Sequence, residues 1–537
     1  MTLVVSTEGA AGPVSVREAT FGLLRALDMT TVFGNPGSTE LEFLDDWPAD
    51  FRYVLALQEA SVVAMADGYA QATGRAAFAN LHSAAGLGNA LGSIFTAYRN
   101  QTPLVITAGQ QARSLLTLDP FLGAERATEF PRPYVKWAAE PARAEDVPTA
   151  IAQAYYMAMQ RPRGPAFVSI PSDDWGRMTL PVAPRKVAWD FAPDAGLLAE
   201  LAQAIVRSTK PAFVLGAAVD REGAFDLAVR LAERASAPVW EAPASSRANF
   251  PQDHPLFAGF LPAIPERLSH LLRENDLIVV IGAPVFTFHV AGQADVFRSG
   301  ASIYQIVDDV TAAAQAPSTT TILGTMKPSL AALLELLPPS TRSRPALRPP
   351  APLAMARDPI PIDFVMQALS AAISPDTTVV EEAPSHRPAM QRFLPIRSSG
   401  AFYTMASGGL GYGLPAAAGI ALANRRRVVC VIGDGSAMYS IQALWTAARH
   451  ELPLTVVVTN NGGYGALKAF SKLMRVGNAP GMELPGIDLP SLAKAFGCKS
   501  IRVDRAADVA HALSGALREP GPMVVDIAVD PDTGDLY

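Results

Sequence analysis

Two short polar segments in the last third of the chain carry the residue types for divalent-cation and phosphate chemistry. VVCVIGDGS places Asp434 just beyond an apolar, β-branched run, and LTVVVTNNGGYG ends a second such run at Asn460 and Asn461. Asp434 and Asn461 are 27 positions apart, room for one strand, one helix (the amphipathic SIQALWTAARHEL) and a second strand. A right-handed crossover then brings both residues to the carboxyl edge of one parallel sheet, where open α/β sheets bind ligands. A carboxylate, a side-chain amide oxygen and a nearby backbone carbonyl suit a hard cation such as Mg²⁺, which fills its octahedron with water and phosphate oxygens. Gly433, Gly435, Gly462 and Gly463 let the backbone approach phosphates closely. GDG or NNG alone reads equally well as a turn at a strand end. The pair at this spacing is what points to a cation.

Other candidates are weaker when taken singly. Glu59, in YVLALQEASVVAMADGYAQATG, falls at a strand–helix junction, where a carboxylate is also favoured by the helix dipole. Ser38 and Thr39 precede ELEFL, and Thr39 with Glu42 forms the pattern of a capping box. A serine at a helix start is also well placed for a substrate carboxylate. His82 ends the strand pattern AAFANLH, and His289 ends VVIGAPVFTFH. A histidine, with a reference pKa near 6.5, gives and takes protons at neutral pH.

These residues need a scaffold, and the chain predicts one. Short β-branched runs alternate with helical patterns throughout, the signature of parallel α/β sheets. Expected strands are Thr31–Phe33, Tyr53–Leu57, Ala76–Leu81, Pro103–Ala108 and Ala166–Ile170; then Ala212–Leu215, Val239–Ala242, Leu277–Ile281, Ile303–Val307 and Thr320–Leu323; then Thr378–Glu381, Val428–Ile432, Leu454–Thr459 and Met523–Val529. Two proline-rich stretches, Leu180–Pro193 and Leu337–Pro361, separate the three sets and read as extended linkers. The expected domains are 13–180, 194–336 and 362–537, each a mostly parallel sheet flanked by helices. No repeat with a period of 20–50 residues is visible.

Composition agrees with a large folded enzyme. Of 537 residues, 49% are hydrophobic and 18% charged, and the net charge is −6 with no long block of one sign. That excludes disorder and disfavours a nucleic-acid surface. Two cysteines, Cys430 and Cys498, make neither a disulfide framework nor a zinc site. The first dozen residues lack a signal-peptide pattern, and the longest apolar stretch, Leu277–Phe286, is too short to cross a bilayer. A cytoplasmic, multi-domain enzyme without membrane association is expected.

The GDG…NN pair resembles the motif of thiamine-diphosphate enzymes. Longer segments extend the resemblance over the whole chain: TVFGNPGSTELEFL, FRYVLALQEA, NLHSAAGLGNA, PLVITAGQQ, GGLGYGLPAA and VIGDGSAMYSIQALWTAA. They are similar to the three-domain thiamine-diphosphate-dependent 2-keto acid decarboxylases, most closely the benzoylformate decarboxylase branch. The resemblance implies thiamine diphosphate as cofactor, with Mg²⁺ held by Asp434, Asn461 and Gly463 and with Ca²⁺ able to substitute. It sets Gly433, Gly435, Ser436, Tyr464 and Ser385 around the diphosphate, with His386 as a further neighbour. It implies that Gly408 offers its carbonyl to the 4′-amino group, that Leu410 keeps the cofactor bent, and that Glu59 stands beside N1′ of the aminopyrimidine. Ser38, His82 and His289 are the implied groups around the reacting carbon. Phe121, Leu122, Ala466 and Phe470 are the implied apolar pocket, with Thr404 where relatives carry an aromatic residue.

The implied activity is non-oxidative decarboxylation of an aryl or branched 2-keto acid to an aldehyde and carbon dioxide. The alternatives are a 2-hydroxyacyl-CoA lyase or carboligase of the same family, and a flavin-dependent oxidoreductase. Against a dinucleotide-binding middle domain, AAVDREG after the strand PAFVLG has no G-x-G-x-x-G pattern. In the family the two ends of the cofactor belong to different subunits, which implies a homodimer at least and a homotetramer as the expected assembly.

Overall fold

The computed structural model describes residues 12–297, 300–477, 479–532, 534 and 536. Tyr537, the end of the third expected domain, lies outside them. The chain packs as two compact units, one through Val187 and one from Ala188 onward.

The first unit holds a two-stranded antiparallel pair, β1 (Val14–Ser15) with β8 (Met178–Thr179), and a six-stranded parallel sheet. The sheet strands are β2 (Thr31–Gly34), β3 (Arg52–Leu55), β4 (Ala77–Leu81), β5 (Leu104–Gln110), β6 (Trp137–Ala139) and β7 (Ala166–Pro171). Their order across the sheet is β3-β2-β4-β5-β7-β6.

The second unit holds two further parallel sheets. One comprises β9 (Pro211–Leu215), β10 (Val239–Glu241), β11 (Phe257–Phe260), β12 (Leu277–Ile281), β13 (Ser302–Val307) and β14 (Thr320–Leu323), ordered β11-β10-β9-β12-β13-β14. The other comprises β15 (Thr378–Glu382), β16 (Phe402–Thr404), β17 (Val428–Gly433), β18 (Leu454–Asn460), β19 (Lys499–Val503) and β20 (Met523–Ala528), ordered β16-β15-β17-β18-β20-β19. The first and third sheets thus share one strand order, and the middle sheet has the doubly wound order of dinucleotide folds.

Central strands such as β5, β12 and β17 are apolar runs buried on both faces, as parallel sheets with helices on each side require. The three-sheet α/β architecture expected from the sequence is present. Besides the short pair β1 and β8, four strands lie outside the expected set: β6, β11, β16 and β19, every one at the edge of a six-stranded sheet. Between β17 and β18 the expected single helix is two short ones, Asp434–Met438 and Ala443–Arg449.

Within the second unit, the middle and third sheets are tied by a buried ion pair. Arg247 Nη1 lies 2.9 Å from Asp220 Oδ2, and its guanidinium stacks 4.1 Å from the Tyr403 ring centroid. Asp220 Oδ1 accepts from the Ser399 hydroxyl and the Gly400 N–H, at 2.6 and 2.9 Å. Asp220→Ala should therefore leave a buried guanidinium without its carboxylate and cost about 3–5 kcal/mol. Denaturant unfolding followed by circular dichroism measures this; a change below about 1 kcal/mol would mean the pair is not buried in solution.

Candidate functional site

Polar residues gather where the strand order reverses. In the first sheet that point lies between β2 and β4. Gly37, just after β2, approaches His82, the residue after β4, so closely that a Cβ at 37 would fall 2.2 Å from Nδ1. Only glycine fits. Glu40, fully buried, receives His82 Nδ1 at 2.9 Å and the Gly37 N–H at 2.8 Å on Oε2. Its Oε1 accepts from the Gly109 N–H at 3.0 Å and the Thr39 hydroxyl at 2.7 Å. A ring nitrogen facing a carboxylate carries the proton, which makes Nε2 the exchanging nitrogen of His82.

Ser38 opens the three-residue 3₁₀ turn Ser38–Glu40 and is exposed. The Thr39–Glu42 capping box expected from the sequence does not form. Thr39 is buried with its hydroxyl on Glu40 and 3.1 Å from His82 Nδ1, because holding the histidine outcompetes capping the short helix Leu41–Leu44.

Glu59 is the first residue of the helix Glu59–Thr73 and is buried. Asn35 Nδ2 donates to Oε1 at 3.1 Å and Asn89 Nδ2 to Oε2 at 3.0 Å, fixing the carboxylate between two amides. In the same unit, Phe121 is 85% exposed and Leu122 follows it in a left-handed conformation with φ 64.

In the second unit, β17 and β18 are adjacent and parallel, with Gly433 opposite Thr459. Asp434 and Asn461 therefore emerge side by side. One terminal atom of the Asn461 amide lies 2.7 Å from the Gly463 carbonyl oxygen and 3.2 Å from Asp434 Oδ1. With the amide oxygen there, three oxygens converge with no proton between them, an arrangement that a cation resolves; with the nitrogen there, it donates to both. Burial pushes the Asp434 carboxyl above its usual range, a cost that a bound cation offsets. The donor set fits Mg²⁺. Gly463 is required here, since a Cβ would meet the Met482 carbonyl at 2.4 Å.

Ser385 Oγ accepts the Ala466 N–H at 2.8 Å, joining the segment after β15 to the start of the helix Gly465–Leu473. Phe470, one turn further along that helix, meets the ring of exposed His289 edge-on, centroids 4.6 Å apart. His386 is buried with Nδ1 2.8 Å from the Thr459 hydroxyl, and burial lowers its pKa to about 4, so the ring is neutral. Thr404, expected on the pocket wall, is buried. Its hydroxyl donates to Glu381, 2.8 Å from Oε2, so it supports the sheet end instead of facing an open space. Gly408 and Leu410 lie in the loop between β16 and the helix Gly413–Asn424.

Comparison with known proteins decides the family. Residues 14–127, 198–333 and 383–527 match, in turn, the N-terminal TPP binding domain, the central domain and the C-terminal TPP binding domain of thiamine pyrophosphate enzymes. The chain belongs to the thiamine pyrophosphate enzymes. Within them it is 43% identical over 520 residues to benzoylformate decarboxylase of Pseudomonas aeruginosa, covering 96% of this chain and 98% of that protein. The crystal structure of benzoylformate decarboxylase from Polynucleobacter necessarius superposes with a TM-score of 0.95 at 42% identity, covering 97% of this chain and 99% of that one. The thiamine diphosphate-dependent 4-hydroxybenzoylformate decarboxylase of Rhodococcus jostii RHA1 gives 0.94 at 40% identity, covering 97% and 100%.

Two residues of this thiamine pyrophosphate enzyme stand out that sequence reasoning missed. Glu40 orients His82 from 42 positions away. Glu382, at the end of β15, is fully buried and accepts the N–H groups of Gly411, at 2.7 Å, and Gly413, which bracket the turn after Leu410. Its only sequence signal is a second acidic residue where an apolar strand ends. Replacing Glu40 with Gln removes the charge that fixes the His82 tautomer. Turnover should fall ~10–100-fold, the usual cost of losing a histidine's orienting partner. The thermal midpoint and cofactor affinity should stay near parental, and parental turnover in steady-state assays would discard the role.

Proposed function

We propose that this chain is a thiamine-diphosphate- and Mg²⁺-dependent carboxy-lyase that converts an aryl or branched 2-keto acid, of the benzoylformate type, to an aldehyde and carbon dioxide. The observation that carries the reading is the convergence of Asp434 Oδ1, the Asn461 amide and the Gly463 carbonyl at adjacent strand ends. The substrate class is supported by 43% identity to a benzoylformate decarboxylase along 96% of the chain.

In this reading Asp434, Asn461 and Gly463 hold the cation, and Gly433, Gly435, Ser436, Ser385 and Tyr464 surround the diphosphate. Gly408 offers its carbonyl to the aminopyrimidine amine, and Leu410 braces the bend. Bound thiamine diphosphate supplies the electron sink that lets carbon dioxide leave. Glu59, gripped by Asn35 and Asn89, holds a proton at N1′. Ser38 offers its hydroxyl to the substrate carboxylate. His82 exchanges protons through Nε2, and His289, backed by Phe470, provides a second proton site. Phe121, Leu122, Ala466 and Phe470 are assigned to the apolar part of the substrate.

The domains are parsed as 13–180, 194–336 and 362–537. The working unit is a homodimer at least, with a homotetramer as the complete assembly, in the cytoplasm. The buried, unpaired thiols of Cys430 and Cys498 agree with a reducing compartment. Among the described residues, no helix is long and apolar enough to cross a membrane.

A dehydrogenase-coupled assay over a panel of 2-keto acids should give turnover that needs both thiamine diphosphate and Mg²⁺ and favours aryl or branched side chains. Turnover confined to acyl-CoA substrates, or independent of the cofactor, would sink the proposal. Glu59→Gln should keep its calorimetric affinity for thiamine diphosphate and lose ~10²–10⁴-fold in kcat, the usual worth of positioned acid–base catalysis. Undiminished kcat would return Glu59 to the role of a helix-end carboxylate.

A further inference from the structure

Within the second unit, between elements of the middle and third sheets, lies a cavity of about 640 Å³. None of the residues assigned above to cofactor, cation or substrate lines it. Its walls are apolar, built from Phe260, Leu261, Met390, Leu394, Ile396 and Phe402. The volume is that of a pocket for a ligand larger than a simple aryl keto acid.

One polar group of the lining keeps an unpartnered donor. Arg387 lines the cavity with its guanidinium anchored through one nitrogen only: Nη2 donates to Glu381 Oε2 at 2.5 Å and to the Thr404 hydroxyl at 3.0 Å. Its Nε has no partner, although the side chain is only 29% exposed. Glu381 balances the charge of this guanidinium but takes only Nη2, which leaves Nε for a second acceptor. Glu241 is turned to Asn249, and burial pushes its pKa up to about 8, so it is neutral near pH 7. Glu266, exposed, accepts the Gln293 N–H at 2.8 Å, which holds its carboxyl below the usual range and keeps it charged. Arg267, also exposed, offsets that charge, and Arg247, the third arginine of the lining, is taken up by Asp220.

We propose that this cavity is a second ligand site, for an amphipathic monoanion: an aryl or acyl carboxylate whose apolar body packs on the walls and whose carboxylate meets Arg387. A planar guanidinium with free donors matches a carboxylate in shape as well as charge.

Calorimetric titration of the full chain with 2-naphthoate, and with 2-naphthylmethanol as its neutral counterpart, tests the proposal. Two variants accompany the parent: Arg387→Gln removes the guanidinium, and Leu271→Trp fills the cavity from a half-exposed position on its lining. Naphthoate should bind the parent, and about tenfold or more weaker in each variant, as loss of a charge-assisted contact predicts. The alcohol should bind the parent at least as weakly as naphthoate binds Arg387→Gln. Leu271→Trp should decarboxylate at the parental rate, which separates this site from the catalytic one. Should Arg387→Gln fail to fold, Leu271→Trp and the alcohol decide. The proposal is overturned if the parent binds no naphthoate at millimolar ligand or the alcohol binds as tightly. It is equally overturned if Leu271→Trp binds like the parent, or loses binding and decarboxylation together.

Discussion

A parallel sheet buried on both faces has no room for polar side chains except at its ends. Its strands all finish on the same edge, and at one point along that edge consecutive loops leave in opposite directions. Glu40, His82 and Glu59 hang from the carboxyl ends of β2, β4 and β3; Glu382, Asp434 and Asn461 hang from those of β15, β17 and β18. None of these groups could sit further inside without losing its partners. The reversal point fixes where chemistry can be placed before any residue type is chosen.

What separates a structural carboxylate from a chemically available one is the number of lone pairs left open. Asp67 and Glu59 lie on the same helix and are both buried. Asp67 accepts from Gln71 and Thr102 on one oxygen and from Asn100 on the other, which ties it to the neighbouring helix end. Glu59 accepts one side-chain amide on each oxygen, and a carboxylate has about four acceptor sites. It is held in place yet still able to meet another group. Glu40 is at the other extreme, with both oxygens occupied and His82 as the one partner through which it can act.

Central strands were legible in the sequence because burial on both faces demands continuous apolar runs, which β12 and β17 display without interruption. The four unexpected strands of the six-stranded sheets, β6, β11, β16 and β19, are edges, where one neighbour is missing and polar residues are tolerated. In β19, KSIRV, only Val503 is buried. The meeting of Asp434 and Asn461 was legible too, because they follow two such runs at a spacing that topology dictates. Partnerships across the sheet were not. Glu40 reads as one more acidic residue in GSTELEFL, and the capping pattern there pointed to Thr39 and Glu42, since local spacing carries no information about a histidine 42 residues away.

The first and third sheets carry the same strand order with no repeat detectable along the chain, and they use it for opposite purposes. At the reversal point of the first, a carboxylate and a histidine are set among amide and backbone donors, an environment for moving protons. Beside that of the third, where β17 and β18 end, a carboxylate, an amide and a carbonyl converge, an environment that calls for positive charge or for the amide's own N–H between the oxygens. Topology supplied the position twice, and side-chain identity supplied the chemistry. The middle sheet makes the same point by contrast. It has the dinucleotide strand order, yet after β9 it presents Ala217 and Ala218 where a phosphate loop needs glycines, and exposed His289 lies beyond β12 against Phe470. A fold of this kind therefore constrains where ligands meet the chain, while the sign and number of unsatisfied groups at each strand end determine which ligands those are.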